Sequence, residues 1–437
     1  GAADAKINGV SGGDIAGDKV ALAGDVNGDG FADVIVGAKK HLVNGSNSGA
    51  AFIVLGPIIG LSALSDAEAR LGGESQGDFA GGSVAAAGDV DNDGFDDVLV
   101  GAKLQDPAAD GVARGTAYLI RGPISGDLDL STADARFEGL NPDDTAGGTV
   151  RGLGDTNDDD HDDVLIAAKL SDVNGVDSGT TYLFLGPLAG TYALGTDEAA
   201  RFLGEAADDQ AGGTASMTGD LDGDGLFDVA LCGCLDDTAA VDAGVVYLVR
   251  APFSGDIMLS GSDARWYGEA AGDSVGYLAA VGDLTGDGLP DLGIGSAAAG
   301  VGGAFYIVDG ALTGDHSLVD AAAKGIGTPG QQLGASITSA GDFNGDLVPD
   351  FAVSAAGDQM ATGLVAVFFG PLTGALDLAS ADQLWVGETA GDGAGFEISG
   401  GQDIDDDDLD DLVIGAPGQD MAAPDAGAVY IVLGTDV

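Results

Sequence analysis

The sequence predicts an all-β fold, a seven-bladed β-propeller with four antiparallel strands per blade. Three observations predict it. An acidic motif recurs seven times along 437 residues, at gaps of 64, 66, 65, 63, 59 and 61. Each repeat surrounds that motif with the same short strand patterns. The last repeat lacks its fourth strand, and a matching pattern stands at the start of the chain. A fixed period of this length signals a repeat architecture, and radial repetition of small sheets leaves only short, protected edges.

Each unit follows one grammar. A short alternating stretch, Lys19 to Gly24 in the first unit, leads into the acidic loop, and a second run, Asp33-Val34-Ile35-Val36-Gly37, follows it. The third strand is the β-rich run AFIVLGP from Ala51, with counterparts from Thr116, Thr181, Val245, Ala304, Val365 and Ala428. A fourth segment ends in Gly-Glu or a similar pair, as in ARWYGEA from Ala264. Branched and aromatic residues alternating between Gly, Pro and Asp read as strands, and no segment keeps a helical period. The missing fourth strand of the last unit is ADAKINGVSG from Ala3, so the N-terminal strand is expected to complete the last blade. The seven units span 1–437 as a single propeller domain, in which no blade is expected to be stable alone.

The motif carries the chemistry. The first copy reads Asp25-x-Asn27-x-Asp29-Gly30-Phe31-x-Asp33. Oxygen donors at positions 1, 3 and 5 converge when the chain curls tightly, Gly at position 6 permits the turn, and the position 7 carbonyl and position 9 carboxylate close the shell. This is the oxygen-only, high-coordination set that calcium prefers over magnesium. It resembles half of an EF-hand loop, but the closing acid comes three residues sooner and strands flank it. The second loop offers Asp89, Asp91, Asp93, Phe95 and Asp97. The third offers Asp155, Asn157, Asp159, His161 and Asp163, and the fourth Asp220, Asp222, Asp224, Leu226 and Asp228. The fifth has Asp283, Thr285, Asp287, Leu289 and Asp291; the sixth Asp342, Asn344, Asp346, Val348 and Asp350; the seventh Asp403, Asp405, Asp407, Leu409 and Asp411. Acidic turns without an ion are ordinary. Three or four carboxylates packed without a cation would repel one another and raise each other's pKa. The reading is therefore up to seven Ca2+ ions, one per blade. Loops two and four, with four carboxylates and Gly at position 6, are expected to be tightest. Loop five, with neutral Thr285, and loop six, with Leu347 in place of Gly, are expected to be weakest.

Composition bounds the partners. Lys plus Arg is 15 against 72 Asp plus Glu, a formal charge of −57, and seven calcium ions would bring it to −43. Nucleic acid and anionic membrane surfaces are excluded as direct partners. No apolar run is long enough to span a bilayer as a helix. Three histidines, His41, His161 and His316, leave little for acid–base or zinc chemistry, and no nucleophile–base set is recognisable. Cys232 and Cys234 lie two residues apart and are expected to be free thiols, because a bridge would close a very small ring. Trp266 and Trp385 share a fourth-strand position with Ile7, Leu71, Phe137 and Phe202, which reads as packing between blades rather than a sugar platform.

These residues resemble FG-GAP repeats, the units of the integrin α-subunit β-propeller, over essentially the whole chain. The Phe-Gly element is degenerate at Ile15-Ala16-Gly17, Phe79-Ala80-Gly81 and Ala394-Gly395. The Gly-Ala-Pro element is literal at Gly415-Ala416-Pro417 and close at Gly37-Ala38-Lys39 and Gly101-Ala102-Lys103. The sequence departs from the family in carrying the loop in all seven units. The resemblance implies extracellular calcium and ligand binding or adhesion by the face opposite the calcium loops, where the variable loops from Lys39, Lys103 and Ala416 lie. The expectation is a secreted or cell-surface monomer, its signal peptide removed, that binds an extracellular protein or glycan. An enzyme on a calcium-stabilised propeller, or a structural, salt-adapted surface protein, are the alternatives.

Overall fold

The computed structural model describes residues 3–358 and 362–435. Its strands form seven sheets. In the first blade, Lys19–Gly24 pairs with Asp33–Ala38, that strand with Ala50–Val54, and Ala50–Val54 with Ala69–Gly72, all antiparallel. The same order recurs in every blade. The first strands lie innermost and touch their neighbours all round the axis, Lys19–Gly24 meeting both Ser83–Gly88 and Ile398–Gln402. In the last blade the fourth strand is Ala5–Asn8, antiparallel to Ala428–Val432 with Ile7 opposite Val429.

Blades form because each sheet is apolar on both faces. The second strands, such as Asp33–Ala38 and Asp97–Ala102, are buried at every residue, which needs a neighbour on each side. Each hydrophobic cluster accordingly mixes residues of two adjacent blades. Leu99, Leu119 and Phe137 of the second blade pack with Val164, Ile166 and Phe184 of the third.

Six sheets hold a fifth strand that the sequence reading does not contain. After the third strand of one blade the chain crosses to the preceding blade and pairs in parallel with its fourth strand: Gly126–Asp129 lies beside Ala69–Gly72. A 3-10 turn then buries one leucine in the seam, as at Leu64, Leu130, Leu259 and Leu318. These straps are short and exposed, with no alternating apolar pattern; Gly126–Asp129 is exposed throughout. Among the described residues, the sheet ending in Gln383–Val386 has no strap.

The fourth-strand aromatics are packing residues. Trp266 is 1% exposed and stacks on His316, ring centroids 4.6 Å apart. Trp385, beside the strapless edge, is only half-buried. Trp266→Ala should cost about 3–5 kcal/mol, the loss expected for a fully buried indole. A urea melt of the calcium-loaded protein checks this, and a change below about 1 kcal/mol would refute the packing role.

Cys232 and Cys234 form a disulfide, which corrects the free-thiol expectation. The strand ends at Gly233 and the chain turns at Cys234, bringing the two Cα atoms to 5.1 Å, inside the range a bridge spans. The small ring weighed against a bridge in the sequence, and the turn at Cys234 is what lets it close.

Candidate metal centres on the acidic loops

All seven acidic loops lie between first and second strands, and two hydrogen bonds recur in each. In the second loop the position 1 carboxylate, Asp89, accepts the amide of Gly94 at 2.8 Å, and the position 5 carboxylate, Asp93, accepts that of Phe95 at 3.0 Å. The equivalents in the other loops link Asp25 to Gly30 and Asp29 to Phe31, and so on through Asp403 to Asp408 and Asp407 to Leu409. The sixth position is left-handed throughout, including the non-glycine residues Asp160 (φ 67°), Leu347 (φ 67°) and Asp408 (φ 70°). Asp visits that region readily, whereas for a leucine it is strained. Leu347 is also 90% exposed.

In loops two, four and seven the carboxylates at positions 1, 3 and 9 converge, with oxygens within 4.8 Å of one another: Asp89, Asp91 and Asp97; Asp220, Asp222 and Asp228; Asp403, Asp405 and Asp411. These are the loops with Asp rather than Asn or Thr at position 3. Buried carboxylate oxygens of Asp91, Asp342 and Asp405 have no hydrogen-bond partner. A buried oxygen left that way is costly unless a cation satisfies it. The donor set is oxygen throughout, so the residues fit a hard divalent cation.

The position 9 aspartates do more than close a shell. Asp97 accepts Val90 N–H at 3.0 Å with one oxygen and Gly122 N–H at 2.8 Å with the other, tying the acidic loop to the turn after the third strand. Asp33, Asp163, Asp228, Asp350 and Asp411 make the same pair of bonds. Asp291 departs from this: it accepts Thr285 N–H at 2.7 Å and the Thr285 hydroxyl at 3.3 Å. That hydroxyl is turned towards Asp291.

Burial, reinforced by neighbouring loop carboxylates, raises the position 9 group in the metal-free protein: Asp33 and Asp228 to about 6, and Asp97, Asp291, Asp350 and Asp411 to about 7. Asp163 is raised for the same leading reason. In the unfolded chain these groups titrate near 4. The folded metal-free protein therefore binds the extra protons. The stability these acids contribute is fully present below pH 4 and is lost as pH rises through 6 to 7. Calcium-stripped protein should thus melt higher at pH 5 than at pH 8, and the calcium midpoint should weaken as pH falls from 8 to 6. Thermal melts with and without calcium across that range check both, and a flat metal-free profile would contradict the burial of these acids.

Sequence reasoning missed two sets of residues here. Arg121 pairs with Asp91, and Arg250 Nε stands 3.8 Å from Asp222. Both arginines immediately follow a third strand, and each sets a fixed cation against position 3 of a loop expected to be tightest. Asp405 of loop seven has no such partner among the described residues, and Asp407 and Asp403 add to burial in raising its pKa. The second set is the position 8 aspartates. Asp96, Asp162 and Asp410 accept the amides of Asp25, Asp89 and Asp342 in the preceding blade, at 2.7, 2.8 and 2.8 Å. Their signal was the doubled Asp-Asp before the second strand. Gly24 must be glycine because its φ is 75° and a Cβ would meet the Asp96 carboxylate at 2.1 Å.

None of the histidines forms a catalytic set. His41 is buried against Asp14 at 2.8 Å, His161 is in its loop, and His316 lies under Trp266.

The FG-GAP repeat family matches residues 16–54, 80–120 and 394–432, the first, second and last blades. Each match runs from the degenerate Phe-Gly element, through the acidic loop, to the end of a third strand. Three of the seven blades therefore match the FG-GAP repeat, on a seven-bladed propeller. The chain is similar to Drosophila melanogaster integrin alpha-PS2, 30% identical over 238 residues covering 49% of this chain and 16% of that protein. Homo sapiens integrin alpha-7 is 32% identical over 167 residues, covering 37% of this chain and 13% of that protein. The propeller thus spans less than a fifth of these relatives. A WD40 domain of Toxoplasma gondii coronin superposes with a TM-score of 0.44 at 13% identity, covering 80% of this chain and 70% of that one. No helix among the described residues is long and apolar enough to cross a membrane.

Proposed function

We propose that this propeller is a calcium-binding, extracellular or cell-surface ligand-binding module, a single domain that acts as a monomer. The observation that carries the calcium reading is the convergence of carboxylates at positions 1, 3 and 9 beside buried carboxylate oxygens with no partner. The residues that hold the ions are those at positions 1, 3, 5, 7 and 9 of each loop, with up to seven ions. When bound, each ion supplies positive charge where burial and mutual repulsion would otherwise protonate the acids. The chain's own part is to hold the loop: position 1 gathers the loop amides, and position 9 fastens the loop to the turn beyond the third strand. Calcium so placed stiffens one face of the disc. The ligand, an extracellular protein or glycan, binds the opposite face, whose loops are preorganised by the rigid blades.

Two measurements test this. Calcium titration of stripped protein should show multiple sites, and their absence would remove the metal reading. Calcium-dependent capture from a panel of extracellular proteins and polysaccharides should retain an intact partner that EGTA releases. Product release from the same panel would replace the binding reading with an enzyme. Neither retention nor turnover would leave a structural surface protein.

A further inference from the structure

In a chain of charge −57, five of the seven lysines cluster in the first three blades at one end of the axis. The residue that follows each second strand is Lys39, Lys103 and Lys169 in blades one to three. The equivalent residues in blades five to seven, Ala297, Ala356 and Pro417, line the mouth of the axial cavity, so the three lysines form the other half of that rim. Lys40 follows Lys39, and Lys19 lines the cavity itself. Lys103 is exposed, yet partial desolvation and the nearby charges of Lys169, Lys39 and Lys19 push its pKa down, so these cations crowd one another.

Two of them are neutralised: Lys39 pairs with Asp18 at 2.6 Å and Lys19 with Glu397 at 2.6 Å. Lys103 and Lys169 have no ion pair among the described residues. Arg151, deeper in the cavity, donates to the carbonyls of Ala215 at 3.0 Å and Val150 at 2.9 Å and is balanced at longer range by Glu397. With so many acids in the chain, cations left without one mark a place kept for an outside anion.

The rest of the cavity says which anion. It encloses about 320 Å³, room for a sugar or two. Its wall carries the hydroxyls of Ser216, Thr338 and Ser399 from three blades; Ser216 and Ser399 each already accept a neighbouring blade's amide, from Ala280 at 3.2 Å and Leu22 at 3.1 Å, which fixes their positions in the wall. Tyr277 and Phe396, 39% and 46% exposed, stand across the mouth from the lysines. Hydroxyls that exchange hydrogen bonds, flat apolar faces and a one-sided row of cations match a sugar ring with a carboxylate better than an acidic peptide, which has no ring face to stack.

We propose that the lysine-lined mouth of the axial cavity binds a carboxylate-bearing saccharide, a uronate chain. Its carboxylates lie on Lys103 and Lys169, and a sugar ring lies against Tyr277 or Phe396. The inference rests on the reading that this face, opposite the acidic loops, is the ligand side.

The test is calorimetry with trigalacturonate at saturating calcium and physiological salt, against methyl-esterified trigalacturonate and triglutamate. Trigalacturonate should bind, and the ester and triglutamate should each bind at least about tenfold more weakly, a difference of one decade in Kd. The Lys103→Ala/Lys169→Ala variant should lose a similar factor while keeping its calcium titration and melt. Lys103→Glu, a single exposed change, should weaken binding in the same direction should the double variant fold poorly. Absence of trigalacturonate binding, or binding unchanged by these substitutions (calcium bridging to the acidic face), overturns the proposal. Equal binding of triglutamate overturns its saccharide half. If the capture experiment retains a partner that the lysine substitutions do not affect, the saccharide proposal fails and the ligand-face reading stands. If no partner is retained at all, the ligand-face reading fails with it.

Discussion

Removing calcium should lower the melting temperature by on the order of 10 °C or more. A site held tenfold above its dissociation constant contributes about 1.4 kcal/mol through linkage. Several sites together then approach the net stability of an ordinary domain. For a chain of 437 residues, whose unfolding entropy scales with length, each kcal/mol moves the midpoint by about 1 °C. The effect should exceed simple charge screening, because the unpartnered oxygens of Asp91, Asp342 and Asp405 and the crowded position 9 acids lie inside the loops. Scanning calorimetry in calcium, in EGTA, and in EGTA with added NaCl separates the two. An unchanged melt in EGTA, or full recovery by salt alone, would sink the structural role of calcium.

Asp97→Ala, like loss of the equivalent position 9 aspartates, should be among the most damaging single substitutions in the acidic loops, and its effect should persist without calcium. The side chain is fully buried and satisfies the amides of Val90 and Gly122 as well as facing Asp89 and Asp91. Its removal leaves two amides without an acceptor, each costing about 1–3 kcal/mol. Asp405→Asn is the contrast. Asp405 Oδ1 has no hydrogen-bond partner, so this change should lower stability in calcium and leave the EGTA melt nearly unmoved. Melts of both variants in both buffers give four numbers. Equal losses for Asp97→Ala and Asp405→Asn in EGTA would show that position 9 is not the structural staple described here.

The sequence was informative where the determining interactions are local. The seven acidic loops are legible because all their donors fall within nine residues and the turn chemistry is written beside them. The strands are legible because alternation and bounding glycines are local patterns. The position 9 aspartates were visible as acids, but their bonds to Gly122 and its equivalents were not, because those partners lie after another strand. The straps were invisible for a related reason. Gly126–Asp129 has no apolar rhythm of its own and becomes a strand only because Ala69–Gly72 offers a free edge.

By itself, then, the sequence determined the all-β class, the sevenfold repeat and the residues of each acidic loop. Tertiary structure decided what depends on one blade standing beside the next. It set Arg121 and Arg250 against two of the loops, linked Asp96, Asp162 and Asp410 to the preceding blade, and turned the chain so that Cys232 meets Cys234. It also gathered Lys39, Lys103 and Lys169 into one arc. Residues some 65 positions apart become neighbours through rotation about the propeller axis, and no local pattern in the chain encodes that rotation.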